Sequence, residues 1–168
     1  VGVVKVDAAK KDEEKDEEEN DKIEEIACDY RDCDTKVEYA KKKNVSCTFT
    51  GRLSYPKMCG LLGVCDITVN PIVTGSAASI INKHGDYAAS GLPVINTQEC
   101  QDYRALGDEY KMGFNCENGN SKEMADRIVQ LIENPKLREN MCRNSRRCAE
   151  EKFDRKTSYQ SLIDCILE

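Results

Sequence analysis

Lys83 and Asp86 stand three residues apart, a spacing that puts an ammonium and a carboxylate on one face of a helix. Before them runs Gly75-Ser76-Ala77-Ala78-Ser79, a loop with almost no side-chain bulk, so a ligand can approach its backbone closely. A helix that opens after such a loop presents unpaired backbone N–H groups and the positive end of its dipole, which together favour a phosphate. Ser76 or Ser79 can cap that helix, and Asn82 can donate to a phosphate or to the loop. A cation beside an anion-binding helix start, with a carboxylate one turn further on, suits a nucleoside diphosphate. The plain alternative is a solvated lysine paired with an exposed aspartate.

Such a helix needs a strand before the loop and another after it. Asp66 to Val69 is short and partly β-branched, and Asn70-Pro71 ends it. Gly91 stops the helix and Pro93-Val94-Ile95 starts the next strand. Spacing puts Ile81, Gly85 and Ala88 on the buried face of the helix and Asp86 on the solvent side. Val1 to Val6 reads as a strand. Ile23 to Lys43 reads as mostly helical, ending in the basic cluster Lys41-Lys42-Lys43 that suits the negative end of a helix dipole. Ser46 to Thr50 follows as a strand, Gly51 as a turn and Tyr55 to Leu62 as a short helix. Gln98 to Leu106 is a short helix and Gly113 to Cys116 a short strand. Asn120, with Glu123 three residues on, signals a helix over Ser121 to Glu133, with Met124, Ile128, Leu131 and Ile132 on one face. Asn134-Pro135 breaks it, and Leu137 to Phe153 and Thr157 to Leu167 complete the chain as helices. Strands alternating with helices predict an α/β fold: a doubly wound, mainly parallel sheet with helices on both faces. Ligands bind at the carboxyl ends of the strands in such sheets, where the Gly51-Arg52 turn and the Gly75 to Ser79 loop both fall.

The chain of 168 residues is long enough for one domain with a real core. Its formal charge of -6 belongs to a single segment. Lys10 to Glu25 holds 4 of the 25 basic and 10 of the 31 acidic residues, which leaves 21 of each sign elsewhere. Residues 1–22 are therefore expected to form an acidic, exposed or poorly ordered segment, and residues 23–168 the folded domain. The only basic cluster is short and aromatic residues are few, which argues against nucleic-acid binding. Ten cysteines run from Cys28 to Cys165 without paired spacing or a CxxC, and His84 is the only histidine. That pattern predicts reduced thiols in a cytoplasmic setting and no metal site; His84 reads as an ordinary helix residue. Cys59, Cys65 and Cys165 fall within apolar periodicity, as small hydrophobes do. No apolar stretch reaches transmembrane length, no signal peptide is expected, and the chain is expected to be a piece of a longer one.

The segment Ile81 to Thr97, INKHGDYAASGLPVINT, resembles the donor-binding stretch of group 1 glycosyltransferases of the GT-B fold. Their pattern runs asparagine-lysine, two residues, acid-tyrosine, small residues and Gly-x-Pro-Val. Upstream, Asn44-Val45, Phe49-Thr50-Gly51-Arg52-Leu53, Tyr55-Pro56-Lys57 and Leu61-Leu62 are similar to the family's strand, glycine turn and following helix. Downstream, Glu117 to Asn120, Leu131-Ile132 with Asn134-Pro135, and Arg146-Arg147 through Phe153-Asp154-Arg155 are similar to its tail. The likeness covers roughly Val37 to Glu168.

The resemblance implies a Rossmann-like donor-binding half of a GT-B enzyme. The whole enzyme would transfer a sugar from a nucleoside diphosphate sugar to an acceptor, with retention, in bacterial surface polysaccharide synthesis. Asp86 matches the acid that accepts hydrogen bonds from both ribose hydroxyls, where relatives commonly carry the longer glutamate. Lys83 would neutralise the diphosphate, and Gly51 and Arg52 match the turn near the nucleotide, where a guanidinium can bridge phosphate oxygens. Many relatives carry another acid eight residues before the ribose-binding one, where this chain has Ala78. Sugar recognition is thereby left to the backbone of Gly75, Ser76 and Ser79, or to Gln98 and Glu99. No catalytic residue, cofactor or metal is assigned: Asp32-Cys33-Asp34 spells the metal-binding DxD of the other glycosyltransferase fold, but in a helical stretch far from the loop. The amino-terminal GT-B domain, which holds the acceptor site, has no counterpart in the resemblance, and no glycine-rich turn follows the first strand. The fragment is therefore expected to be inactive alone, with peripheral membrane association left open for the full enzyme. A nucleotide-sugar epimerase of the same fold and a non-catalytic α/β interaction module are the competing readings.

Overall fold

The alternation of short β-branched runs with amphipathic segments folds into one mixed sheet with helices packed on it. The computed structural model describes residues 2–4, 38, 41–43, 48–72 and 79–167. The chain divides into two units, one comprising Val1–Ala8 with Tyr55–Glu168 and the other Ala9–Ser54. In the larger unit the strands are β1 (Gly2–Val4), β2 (Ile67–Asn70), β3 (Val94–Asn96) and β4 (Gly113–Asn115), in that spatial order. β2, β3 and β4 are parallel, as the βαβ reading requires, whereas β1 runs antiparallel against β2, pairing Gly2 with Val69 and Val4 with Ile67. Among the described residues of this unit, the helices are α1 (Tyr55–Leu62), α2 (Asn82–Ala89), α3 (Gln101–Tyr110), α4 (Ser121–Glu133), α5 (Pro135–Cys148), α6 (Arg155–Ser158) and α7 (Gln160–Leu167), with a π-helical turn, Ala149–Phe153, after α5. None of the described helices is long and apolar enough to cross a membrane.

Strand alternation divides the side chains between the two faces of the sheet. Ile67, Ile95 and Phe114 face one way and pack with Leu131 of α4 and Met141 of α5. Val94 faces the other way and packs with Leu62 of α1, Tyr87 of α2 and Leu92. Each fully buried Ile or Leu contributes about 1.5–3 kcal/mol to folding. A third cluster seats Tyr103 and Tyr110 of α3 against Met112 and Cys148. Gly113 pairs with Val94 so closely that a Cβ there would lie 2.0 Å from the Val94 carbonyl oxygen, so only glycine fits.

The punctuation residues work as their chemistry dictates. α2 ends in a Schellman motif: Gly91 takes φ +65°, its N–H reaches Ala88 O, and Leu92 N–H reaches Tyr87 O. Asn120 caps α4 by accepting from Glu123 N–H at 3.0 Å. Asn134 caps α5, and Pro135 occupies its first turn rather than only ending α4, because the missing N–H is one that a helix start leaves unpaired anyway. Several expectations need correction, among them the helix over Gln98 to Leu106, which runs instead over Gln101–Tyr110. Residues 48–50 carry no strand. The last helical stretch is divided between α6 and α7. The N-cap of α2 is Ile81, which has no side-chain acceptor, so Ser79 does not cap it. The expected boundary at residues 22 and 23, the acidic run, Asp32-Cys33-Asp34, Gly75 and Ser76 lie outside the described residues. Among the described residues, Cys59, Cys100, Cys116, Cys142, Cys148 and Cys165 are free thiols.

Candidate functional site

The carboxyl ends of the parallel strands carry a row of asparagines. Asn70, Asn96 and Asn115 each close their strand and stand in register across it. Asn70 Nδ2 donates to Asn96 Oδ1 at 2.9 Å, and Asn96 Nδ2 donates to Asn115 Oδ1 at 3.1 Å. Asn96 Oδ1 also accepts from the backbone N–H of Gln98. Arg104 of α3 ties the outer end together, donating to the carbonyls of Gln98 and Cys116 at 2.8 and 2.6 Å. Buried amides are stable only when paired, and here nearly every atom is; Asn70 Oδ1 has no partner among the described residues.

Gln98 extends this network to α2. Its Nε2 donates to the backbone carbonyl of Ser79 at 2.7 Å, and its Oε1 sits 2.6 Å from His84 Nε2. An amide oxygen can only accept, so His84 carries its proton on Nε2, and Nδ1 is a buried acceptor without a partner among the described residues. The imidazole stacks on Tyr103 with centroids 3.4 Å apart. Burial, opposed by the Gln98 hydrogen bond and aided by the Lys83 charge, holds the His84 pKa down to about 4, so the ring is neutral.

On α2 itself the buried face is His84, Tyr87 and Ala88, whereas Ile81 and Gly85 are half-buried. The expected Ile81–Gly85–Ala88 face is rotated because the polar His84 finds a partner inside the protein and Gly85 sits against the edge of Phe153. Asp86 is half-buried and lines a cavity of about 740 Å³, together with Asn82 at the helix start, Tyr55, Arg146, Phe153 and Arg155. Its carboxylate accepts from the Tyr55 hydroxyl at 2.9 Å rather than from Lys83. Arg146 donates to the Ala89 carbonyl at 2.7 Å and pairs with Glu150 at 2.8 Å. Lys83 is half-buried beside this wall, and burial pulls its ammonium below the usual pKa.

Of the residues singled out in the sequence, Asn82 and Asp86 thus share one cavity wall, and Ser79 and Gln98 share a hydrogen bond. Gln98 is turned inward with no exposure, while Glu99 is exposed. Gly51, with φ +60°, and Arg52 are exposed residues of the other unit. Tyr55, the His84–Gln98 pair and the asparagine row escape sequence reasoning. The one available signal is the repetition of asparagine at the end of each short strand, in TVNP, VINT and GFNC.

The resemblance is borne out by comparison with known families. Residues 21–134 match the family described as glycosyl transferases group 1. No curated protein and no solved structure matches the chain significantly. A match over that share of the chain, on a mainly parallel α/β sheet with its polar groups gathered at the strand ends, settles the family: this chain belongs to the group 1 glycosyltransferases.

Proposed function

We propose that the cavity beside α2 receives the nucleoside diphosphate of a sugar donor, and that the chain is the donor-binding half of a retaining enzyme of bacterial surface polysaccharide synthesis. The observation that carries this reading is the Asp86 carboxylate on the wall of a cavity of about 740 Å³, one turn from the first residue of α2. That volume lies in the range of small-molecule sites. The diphosphate would meet the backbone N–H groups at the start of α2, which Ile81 leaves without a side-chain cap. Asp86 would accept from the vicinal ribose hydroxyls. Lys83 on the flank and Arg155 on the wall would offset phosphate charge.

The chemistry follows from that placement. As the bond between the sugar and the diphosphate breaks, negative charge builds on the departing oxygen. A helix start and fixed cations there stabilise the charge as it develops and so lower the barrier. Gln98 would serve from beneath by holding the Ser79 carbonyl, and Glu99 would be the exposed group nearest to it in sequence for the sugar. The acceptor would be bound by an amino-terminal GT-B domain, with the full enzyme working in the cytoplasm against a membrane surface. Calorimetric titration with UDP, GDP and ADP tests the reading. Saturable binding of at least one is expected, and absence of binding by all three refutes it.

A further inference from the structure

Asp86 has a partner that a nucleotide site does not by itself require. Tyr55, the first residue of α1, donates its phenolic hydroxyl to Asp86 Oδ1 at 2.9 Å across thirty-one residues of chain. The ring is 63% exposed, so packing does not explain its position. It nevertheless lines the same cavity as Asp86 and Asn82. We propose that Tyr55 is a positioning residue that makes this cavity select ribose over 2′-deoxyribose: it fixes one oxygen of Asp86 and leaves the other to a vicinal diol. The inference rests on the reading of Asp86 given above.

The physical case begins with the side chain. An aspartate on a helix turns freely in water about two torsions, and its carboxylate offers about four acceptor positions. One donor from outside the helix therefore orients the group without saturating it. Aspartate is one methylene shorter than glutamate and has less freedom to reach a ligand, so its orientation matters more. A tyrosine suits the task because its rigid ring has only two torsions to fix. Hydrogen bonding to the Asp86 carboxylate, and then its charge, push the Tyr55 pKa up to about 12, with Cys59 one turn along α1 acting in the same sense. The hydroxyl thus remains a donor across neutral pH. A diol would complete the pattern, with its two hydroxyls sharing the two acceptor positions of Oδ2. A 2′-deoxy sugar supplies only one.

The test uses the full chain and whichever of UDP, GDP and ADP it binds most tightly, together with the 2′-deoxy counterpart. Tyr55→Phe is expected to weaken the ribonucleotide about two- to tenfold, the worth of one hydrogen bond, and to leave the 2′-deoxy ligand within about twofold, so that the ribose preference shrinks. Equal melting curves for the variant and the parent establish that the fold is intact. Asp86→Asn, which keeps the shape and removes the charge, serves as the reference. If Tyr55→Phe keeps the parent's preference, or loses both ligands equally, the role of Tyr55 is wrong. In that event an Asp86→Asn variant that abolishes the preference leaves the nucleotide reading standing. A parent chain that binds no nucleotide, or binds both sugars alike, overturns both.

Discussion

His84 should make the stability of this domain depend on pH between about 5 and 7. The imidazole has no exposure, stacks on Tyr103 and gives its only N–H to Gln98, so a second proton would place an unpaired charge among the buried side chains of α2 and α3. Burial is the main reason that its pKa falls to about 4, with the Lys83 ammonium adding to it. An unfolded chain takes up the proton near its ordinary value of about 6.5, whereas the folded chain refuses it. A lowered histidine pKa therefore means stability that is complete above about pH 7 and drains away as pH falls from 6.5 towards 4. At pH 5 about 97% of unfolded and about 9% of folded imidazoles would be charged, and the integrated difference from pH 7 is about 2 kcal/mol. Urea unfolding at pH 7, 6 and 5 measures this directly. Because His84 is the only histidine, His84→Phe should flatten the slope across that window, whatever it does to the absolute stability. A ring-proton resonance titrating near 6.5 in the folded chain, or a slope unchanged in His84→Phe, would refute the reasoning.

Three further outcomes are expected. Asp86→Ala should weaken nucleoside diphosphate binding about tenfold or more, through loss of charge-assisted hydrogen bonds worth about 1.5–3 kcal/mol, while costing about 1 kcal/mol or less of stability through the lost Tyr55 hydrogen bond. Glu139→Ala, an exposed carboxylate on α5, is the reference, and equal affinity in both variants by calorimetry would sink the ribose role. Gly113→Ala should cost at least about 1–3 kcal/mol in urea unfolding, because its methyl would meet the Val94 backbone rather than a yielding side chain; a variant as stable as the parent would contradict that. Asn96→Leu should cost about 3 kcal/mol or more, since it strands the buried donors of Asn70 and of the Gln98 backbone. A loss under about 1 kcal/mol would mean that the asparagine row contributes little.

What the sequence revealed was mostly local. α1 and α4 fall on their expected bounds because their ends are written nearby: Asn120 and Glu123 for the start of α4, Asn134-Pro135 for its end. The Schellman end of α2 was legible in Gly91 for the same reason. Parallel pairing of β2, β3 and β4 followed from the alternation of strands and helices, whereas the antiparallel β1 did not, because its partner lies more than sixty residues away. The rotated face of α2 was hidden in the same manner. A histidine at a helical position looks solvent-bound until its partner, fourteen residues on, is known to be buried beside it. Asp86 could be singled out as a ligand for a diol, but not its tie to Tyr55, which depends on where α1 packs.

The row of asparagines also has a direction. Asn115 Nδ2 donates to Asp108 Oδ1 at 2.9 Å, and a carboxylate there can only accept. That fixes the orientation of Asn115, which leaves its oxygen for Asn96, which in turn leaves its oxygen for Asn70. The three amides therefore form a one-way chain: none can turn over alone, the side-chain N–H groups of Asn70 and Asn96 point towards β4, and that of Asn115 points on to Asp108 of α3. The loose end, at β2, is necessarily an oxygen. That oxygen is buried, so the sense of the row is set from the Asp108 end and not by solvent. The same sheet edge that gathers the polar groups of this domain thus sorts them by polarity, with an acidic residue on α3 setting the sense for a strand two places away.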